Sequence, residues 1–308
     1  MVTGGAGYIG SHMSALLVER GHEVVVVDDL SGGHRDAVAP SARFVQAKTS
    51  DPAMADACAG ADAVIHFAGR IQVGESVIDP RKYWNDNLVE SLAALDAATR
   101  ANVGAFVFSS TAAVYGNPDS APIVEDHPTR PINPYGETKL AFEHALAGYG
   151  RAYGTRWAAL RYFNAAGAFG GLRERHAPES HLIPLAIAAA KGEGPPLRLF
   201  GTDWPTPDGT CIRDYVHVRD LALAHLAAID HLRAGKESGA FNVGSGTGAT
   251  VREVLAAVGR AAGKPVPVVD SPRRAGDPAV LVASVEKAKR VLGWSPALGL
   301  DAIVQSAM

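Results

Sequence analysis

Thr3-Gly4-Gly5-Ala6-Gly7-Tyr8-Ile9-Gly10 carries two overlapping glycine spacings, Gly4-x-x-Gly7-x-x-Gly10 and Gly5-x-Gly7-x-x-Gly10, and runs straight into the helix-like Ser11-His12-Met13-Ser14-Ala15-Leu16-Leu17. Glycines at such a turn let backbone amides and the positive end of the following helix approach a pyrophosphate. Eighteen residues beyond Gly10, the run Glu23-Val24-Val25-Val26-Val27 reads as a buried parallel strand and ends in Asp28-Asp29. An acid at the carboxyl end of that strand accepts from both ribose hydroxyls of an adenosine and repels a 2′-phosphate, which favours NAD over NADP. A glycine pattern alone is an ordinary tight turn. Glycine turn, helix, strand and acid in that order describe a dinucleotide site.

The rest of the first half keeps the same rhythm. Short apolar runs at Val24 to Val27, Ala63 to Phe67, Ala105 to Phe108 and Trp157 to Arg161 alternate with Ala/Leu-rich stretches, which predicts an α/β fold with a doubly wound parallel sheet of the Rossmann kind. Asn87 to Ala101 places Leu88, Leu92 and Leu95 at helical spacing, an apolar face suited to packing on the sheet. After Asn164 the rhythm breaks. Residues 165–215 are rich in Gly and Pro and contain one clear helix, Leu182 to Lys191. The expected division is therefore a NAD-binding domain over 1–164 and a smaller α/β substrate-binding domain over 165–308, with segments of the latter returning to the first sheet. A ligand belongs in the crevice between them.

A chain of 308 residues, 47% of them hydrophobic, supports one large or two medium cores. The net charge of −3 is spread over interspersed acids and bases, so neither a nucleic-acid nor a membrane partner is expected. Cys58 and Cys211 lack metal-ligand spacing, and without a leader or a long apolar span they predict a reduced, cytoplasmic setting. None of the eleven histidines falls in His-x-x-x-His or His-Glu-x-x-His. They read as scattered surface or satisfied core residues, and no metal is expected.

The chemistry points to Asn133-Pro134-Tyr135-Gly136-Glu137-Thr138-Lys139. Asn133 is a good N-cap and Pro134 a good first helical residue, so Tyr135 and Lys139 share one face at a helix start, roughly 6 Å apart. A phenol ionises near pH 10 unperturbed, and both an adjacent ammonium and the first turn of a helix favour the phenolate. Tyr135 is thus a candidate base toward a sugar hydroxyl. Alone, Tyr-x-x-x-Lys is more often a solvated helix face. Upstream, Phe108-Ser109-Ser110-Thr111-Ala112-Ala113-Val114-Tyr115-Gly116 reads as a strand ending in three hydroxyl residues. Such an end opens into the ligand crevice, where Thr111 can donate to a reacting oxygen.

Together with Arg161-Tyr162-Phe163-Asn164, these segments resemble the extended short-chain dehydrogenase/reductase superfamily and, within it, the UDP-glucose 4-epimerase family. The resemblance spans essentially the whole chain. It includes His66-Phe67-Ala68-Gly69, Val73-Gly74-Glu75-Ser76-Val77, His181-Leu182-Ile183-Pro184, the loop from Asp208 to Val218 and Arg273-Arg274-Ala275-Gly276-Asp277. It implies reversible inversion at C4 of the hexose of UDP-galactose and UDP-glucose, through a 4-keto sugar and with tightly held NAD.

By that resemblance Tyr135 removes the C4 hydroxyl proton, Lys139 holds the nicotinamide ribose and lowers the phenol pKa, and Thr111 hydrogen-bonds the reacting oxygen. Cofactor contacts are implied for Gly4, Gly7, Tyr8, Ile9 and Gly10 in the first turn, for Asp28, Asp29, Lys48 and Thr49 after the next strands, and for Phe67, Ala68, Gly69, Asn87, Ser109 and Tyr162. The nucleotide falls to Asn164, the His181-Leu182 backbone, Phe200, Arg213, Arg274 and Asp277, with Leu281 beside the hexose. Arginine suits a diphosphate because its planar fork donates two parallel hydrogen bonds. Arg213-Asp214 taken alone reads equally as a surface ion pair. A homodimer is implied through the helices at Asn87 to Ala101 and Leu140 to Gly148, although their apolar residues also suit packing on the sheet.

Several positions depart from the family pattern. Lys48 stands where relatives have an Asp that contacts the adenine amino group, and lysine offers no acceptor. Ile71 replaces a cofactor-binding lysine, so NAD is expected to be held less firmly. More first strand than Met1-Val2 and a C-terminal helix beyond Met308 are also expected. Sugar-nucleotide 4,6-dehydratases need an acid after the strand-end Thr, and Ala112 and Ala113 stand there instead. Epimerases of UDP-glucuronate, UDP-xylose or UDP-N-acetylhexosamines remain alternatives, as does a non-catalytic NAD-binding sensor. A sensor has no need of Thr111, Tyr135 and Lys139 together. Leu281, apolar and of intermediate size, implies a preference for the plain hexoses over their N-acetyl forms.

Overall fold

The computed structural model describes residues 1–274 and 277–308; Ala275 and Gly276, in the middle of the Arg273 to Asp277 segment, lie outside the described residues. Strands β1 (Val2–Thr3), β2 (Val25–Asp28), β3 (Arg43–Gln46), β4 (Ala63–His66), β5 (Ala105–Thr111) and β6 (Trp157–Tyr162) build one parallel sheet. Between β6 and the sheet's last strand come β7 (Asn164–Ala166), β8 (Leu197–Phe200), β9 (Ile212–Arg213) and β10 (Tyr215–His217). Strand β11 (Gly239–Val243) then returns to the edge of the sheet, giving the order β11-β6-β5-β4-β1-β2-β3. The chain builds outward from β1 in one direction through β3, then crosses back to β4 and builds the other way. The crevice at the carboxyl ends of β1 and β4 is the switch point where such sheets bind ligands.

Valine-rich β2 sits inside the sheet, Val26 opposite Val2 and Val27 opposite Thr3, because branched side chains suit a strand buried on both faces. Alternate residues feed opposite cores. Val2, Val26, Ile65, Val107 and Leu160 pack with helices α1 (Tyr8–Glu19) and, later in the chain, α8 (Val218–Arg233). Val27, Val64, Phe106 and Phe108 pack on the other side with α2 (Ala53–Cys58), α5 (Glu90–Arg100) and α6 (Pro134–Tyr153). Between α2 and α5 lie two short helices, α3 (Val73–Ile78) and α4 (Pro80–Tyr83).

The second lobe has its own core, Ile183, Ala186, Leu197, Val254 and Ile303, from α7 (Leu182–Lys191), β8, α9 (Val251–Ala262) and α10 (Leu300–Ala307). Its small sheets are β10-β7, β13 (Val268–Ser271) against β8, and β12 (Ala249–Thr250) and β14 (Val280–Leu281) flanking β9. Thr250 and Glu253 close a reciprocal cap at the start of α9.

β5 ends in its three hydroxyl residues, as expected, with Ser109, Ser110 and Thr111 paired in register with Leu160, Arg161 and Tyr162. Two element boundaries differ from the sequence reading. β4 stops at His66. The helix anticipated from Asn87 begins as a wider π turn over Trp84–Val89 before α5 takes over. Leu95 is buried and Leu88 and Leu92 pack beside it on the sheet. Cys58 and Cys211 are both free. Among the described residues no helix is long and apolar enough to cross a membrane.

Candidate active site

Helix α6 starts where its cap directs. Asn133 Oδ1 accepts the amide of Gly136 at 2.9 Å, and Pro134 takes the first helical position. Tyr135 and Lys139 then emerge one turn apart against the carboxyl end of β5. Lys139 is only 3% exposed. Its Nζ donates to the Ser109 carbonyl at 3.0 Å and lies 6.0 Å from the centre of the Tyr135 ring. The Thr111 hydroxyl faces the Tyr135 phenol and accepts the Ala113 amide at 3.1 Å. Three groups from β5 and α6 therefore converge on one corner of the crevice.

Burial dominates the electrostatics of that corner. Burial pushes the Tyr135 phenol above its ordinary range, and only the Thr111 hydroxyl pulls it back. The Lys139 ammonium sits 6.0 Å from the ring centre and gives one of its three hydrogens to the Ser109 carbonyl. Burial also brings Lys139 itself down to about 8.

Several residues that no motif revealed support the corner. Tyr83, fully buried, sets its ring edge-on to Tyr135 at 6.4 Å, with its hydroxyl fixed by Gln72 and Glu75. The Tyr162 hydroxyl meets Nε2 of buried His225, whose Nδ1 faces the Leu221 carbonyl at 2.8 Å. A carbonyl only accepts, so Nδ1 carries the proton and Nε2 accepts from Tyr162. Burial brings His225 down to about 4, which keeps that tautomer neutral. Behind α6, Arg161 pairs with Glu143 at 2.7 Å in the interior, and Ser110 donates to the same carboxylate. His225 and Glu143 had no legible signal, since each is an ordinary helical residue until the fold brings its partner to it.

The Gly-rich turn lies across the crevice. Helix α1 starts at Gly7 with extended backbone, no side-chain cap and no acid in its first turn. Its N-terminal amides and positive potential are thus open to an anion. The turn packs closely: a side chain on Gly10 would collide with the Gly4 carbonyl, and one on Gly4 would stand 2.6 Å from the Ala68 amide. Gly4 also has φ +67, which L side chains rarely adopt. Asp28, at the end of β2, accepts the amides of Ala6 at 2.9 Å and Leu30 at 2.8 Å. These amides aim the carboxylate at the turn. An uncapped helix start, a fixed acid and the buried Lys139 suit the pyrophosphate and two riboses of NAD.

Other implied cofactor positions are distributed less simply. Asn87 grips the backbone of Arg70, its Oδ1 2.6 Å from the amide and its Nδ2 3.0 Å from the carbonyl, and thereby shapes the Phe67-Ala68-Gly69 turn. The Thr49 hydroxyl is engaged by Glu90, Lys48 is exposed, and Asp29 accepts the Ser31 amide. Ile71 is 40% exposed.

In the second lobe, Asn164 Nδ2 donates to the Asp214 carbonyl at 2.8 Å. Arg213 donates to the Ile212 and Pro278 carbonyls and stands 3.6 Å from Asp277. Arg274 is exposed, with its guanidinium 3.9 Å from the centre of the Phe200 ring. Leu281 pairs with Arg213 across β14 and β9, and its half-buried side chain packs on the cluster that contains Ala112 and Tyr115. That packing brings it from the second lobe to the neighbourhood of Thr111.

His181 caps α7, with Leu182 its first residue. The histidines are not all scattered, contrary to the sequence reading. Chain bending across a five-residue separation gathers His176 and His181 with Glu174 and Glu179. The two carboxylates raise His181 to about 10 despite burial, and the two imidazoles bring Glu174 down to about 2.

Comparison with known proteins agrees along the whole chain. Residues 1–244 match the family model described as NAD dependent epimerase/dehydratase family. A UDP-glucose 4-epimerase of Corynebacterium glutamicum is 49% identical over 297 residues, covering 96% of this chain and 90% of that protein. The crystal structure of UDP-glucose 4-epimerase from Brucella ovis in complex with NAD superposes with a TM-score of 0.97 at 47% identity, covering 99% of this chain and 96% of the other. A Stenotrophomonas maltophila UDP-glucose-4-epimerase with bound NAD and formylated UDP-arabinopyranose gives a TM-score of 0.96 at 40% identity over 99% and 95% of the two chains.

Proposed function

The chain belongs to the NAD dependent epimerase/dehydratase family, and from that premise we propose that it interconverts UDP-galactose and UDP-glucose by inversion at C4. The observation that carries the reading is the meeting of Thr111, Tyr135 and Lys139 at the carboxyl end of β5. Bound NAD supplies a hydride acceptor at C4, the return of that hydride to the opposite face, and a positively charged ring in its oxidised form.

The protein's own groups do the rest. Tyr135 takes the proton of the C4 hydroxyl, and Thr111 holds that oxygen toward the phenol. Lys139, fixed on Ser109, donates its remaining hydrogens to the neighbouring ribose. Asp28 accepts from the adenosine ribose at the far end of the crevice. In the second lobe Arg213 and Arg274 grip the diphosphate and Asp277 the uridine ribose, while Phe200 gives the base an aromatic face. With the grip on the nucleotide, the 4-keto sugar turns about its phosphate link and presents its other face to the same corner.

Two further features extend the reading. The exposed Trp84, Val89 and Tyr153, 37%, 55% and 66% open, support a homodimer through the helices at Asn87 to Ala101 and Leu140 to Gly148 that they adjoin in sequence. The two free cysteines fit a reduced, cytoplasmic setting. Incubation of the purified protein with NAD and UDP-galactose tests the activity. UDP-glucose accumulating to a fixed ratio from either direction is expected, and no conversion of either sugar would reject the reading.

A further inference from the structure

Residues 173–181 run as a strap between the lobes. Arg175 forks onto Asp36 at 2.7 and 3.0 Å, and His34 meets the Arg175 carbonyl at 3.2 Å, which ties the strap to the loop after β2. The other end becomes the cap of α7 at His181. Within the strap the Glu174 side chain is only 9% exposed. A buried carboxylate is costly without a cation. Yet the adjacent Arg175 turns away to Asp36, and among the described residues the basic groups paired with Glu174 are two imidazoles.

Their geometry converges. Nδ1 of His176 and Nδ1 of His181 each lie 2.8 Å from the same Glu174 Oε1. Glu179 Oε1 lies 2.8 Å from His181 Nδ1 and is held in place by the amides of Ser180 and His181 at 2.7 and 2.8 Å. The rings of His176 and His181 sit 5.2 Å apart, and His176 packs edge-on against Tyr8 at 6.2 Å. One donor atom from each of the four residues lies within 4.8 Å of the others. Hydrogen bonding around a single imidazolium would offset one carboxylate. A dication with two neutral imidazoles offsets both.

We propose that Glu174, His176, Glu179 and His181 form a binding site for one divalent transition-metal ion, with zinc the best match to the donors. Two imidazole nitrogens and two carboxylates suit four-coordinate zinc, whereas magnesium and calcium favour all-oxygen shells. The amides on Glu179 supply the outer hydrogen bonds that orient a ligating carboxylate. An ion there fastens the strap to the start of α7, beside the Gly-rich turn. Zinc binding is read on the protein directly, without the sugar reaction, so its failure and the failure of the inversion reading are distinguishable.

The test uses the full chain, stripped with a chelator and then titrated with zinc against a chromophoric competitor. One equivalent per chain is expected, undisturbed by excess magnesium. His176→Gln and Glu179→Gln should each weaken binding on the order of tenfold or more, with the fold verified by circular dichroism, while exposed His144→Gln binds as the parent does. Should a carboxylate variant not fold, X-ray absorption of the zinc-loaded parent decides, with two imidazole ligands expected. Stoichiometric zinc that survives His176→Gln at full affinity, absence of a bound equivalent, or a spectrum without imidazole scattering would overturn the site.

Discussion

Lys139 leaves 3% of its surface open and is bonded to the backbone of β5, whereas Asp277 leaves 39% of its side chain open and stands 3.6 Å from Arg213. The first belongs to a corner built from the central sheet and the helix capped at Asn133, where cores on both faces of the sheet hold the groups in place. The second belongs to an anchor built from two-residue strands and loops, with Arg274 laid on Phe200 at the surface. The contrast teaches a division of labour: proton transfer needs groups fixed to fractions of an ångström, while a nucleotide grip tolerates adjustment because charge-assisted hydrogen bonds reach over a wider range of positions. A sugar that must turn between two half-reactions needs that unequal stiffness.

The largest effect should come from the stiff side. Tyr135→Phe deletes one oxygen from the corner and is predicted to lower kcat by about 10² to 10⁴ with NAD binding and fold retained; near-parental turnover of UDP-galactose would break the contrast. Next is Leu281, which spans the two regions. A buried acetamido group left without partners costs about 1 to 3 kcal/mol, so the parent should prefer the plain hexoses over their N-acetyl forms by about 10 to 100 fold in kcat/KM, and Leu281→Ser should narrow the gap. An unchanged ratio in a folded Leu281→Ser protein would mark Leu281 as packing alone. On the compliant side, Arg274→Ala should raise KM for UDP-glucose on the order of tenfold at nearly constant kcat. Steady-state kinetics showing kcat falling instead would move Arg274 into the reacting corner.

The smallest effect is one of pH. Lys139 holds its ribose partner as an ammonium, and burial brings it to about 8 from an ordinary 10.5. Activity should therefore decline as pH rises through about 8, and Lys139→Met should abolish that limb. Stability carries the opposite sign. The folded chain binds fewer protons at Lys139 than the unfolded one between about 8 and 10.5, so this residue's cost to folding is greatest below that window and is relieved across it. A pH profile of kcat/KM that stays flat to pH 10 would show the ammonium to be dispensable.

Local rules made much of this legible. The glycine spacing, the valine run ending in Asp28 and the Asn133-Pro134 helix start each act over a few residues, through backbone sterics, strand burial and capping, and the structure has all three in place. The Leu182 to Lys191 helix was equally plain, closed by Gly192 at φ +80. The wider turn over Trp84–Val89 was not, because helical spacing alone does not distinguish it from the α-helix that follows.

What the sequence by itself determined is the order of elements and the identity of the reacting groups, since both rest on interactions between near neighbours in the chain. What only the tertiary structure decided is the environment of those groups. Burial raises the Tyr135 phenol although Lys139 lies one helical turn away, His225 reaches Tyr162 across a separation of 63 residues, and the 173–181 strap folds two histidines and two glutamates onto one point. Desolvation and long-range contact depend on which surfaces meet in the folded chain.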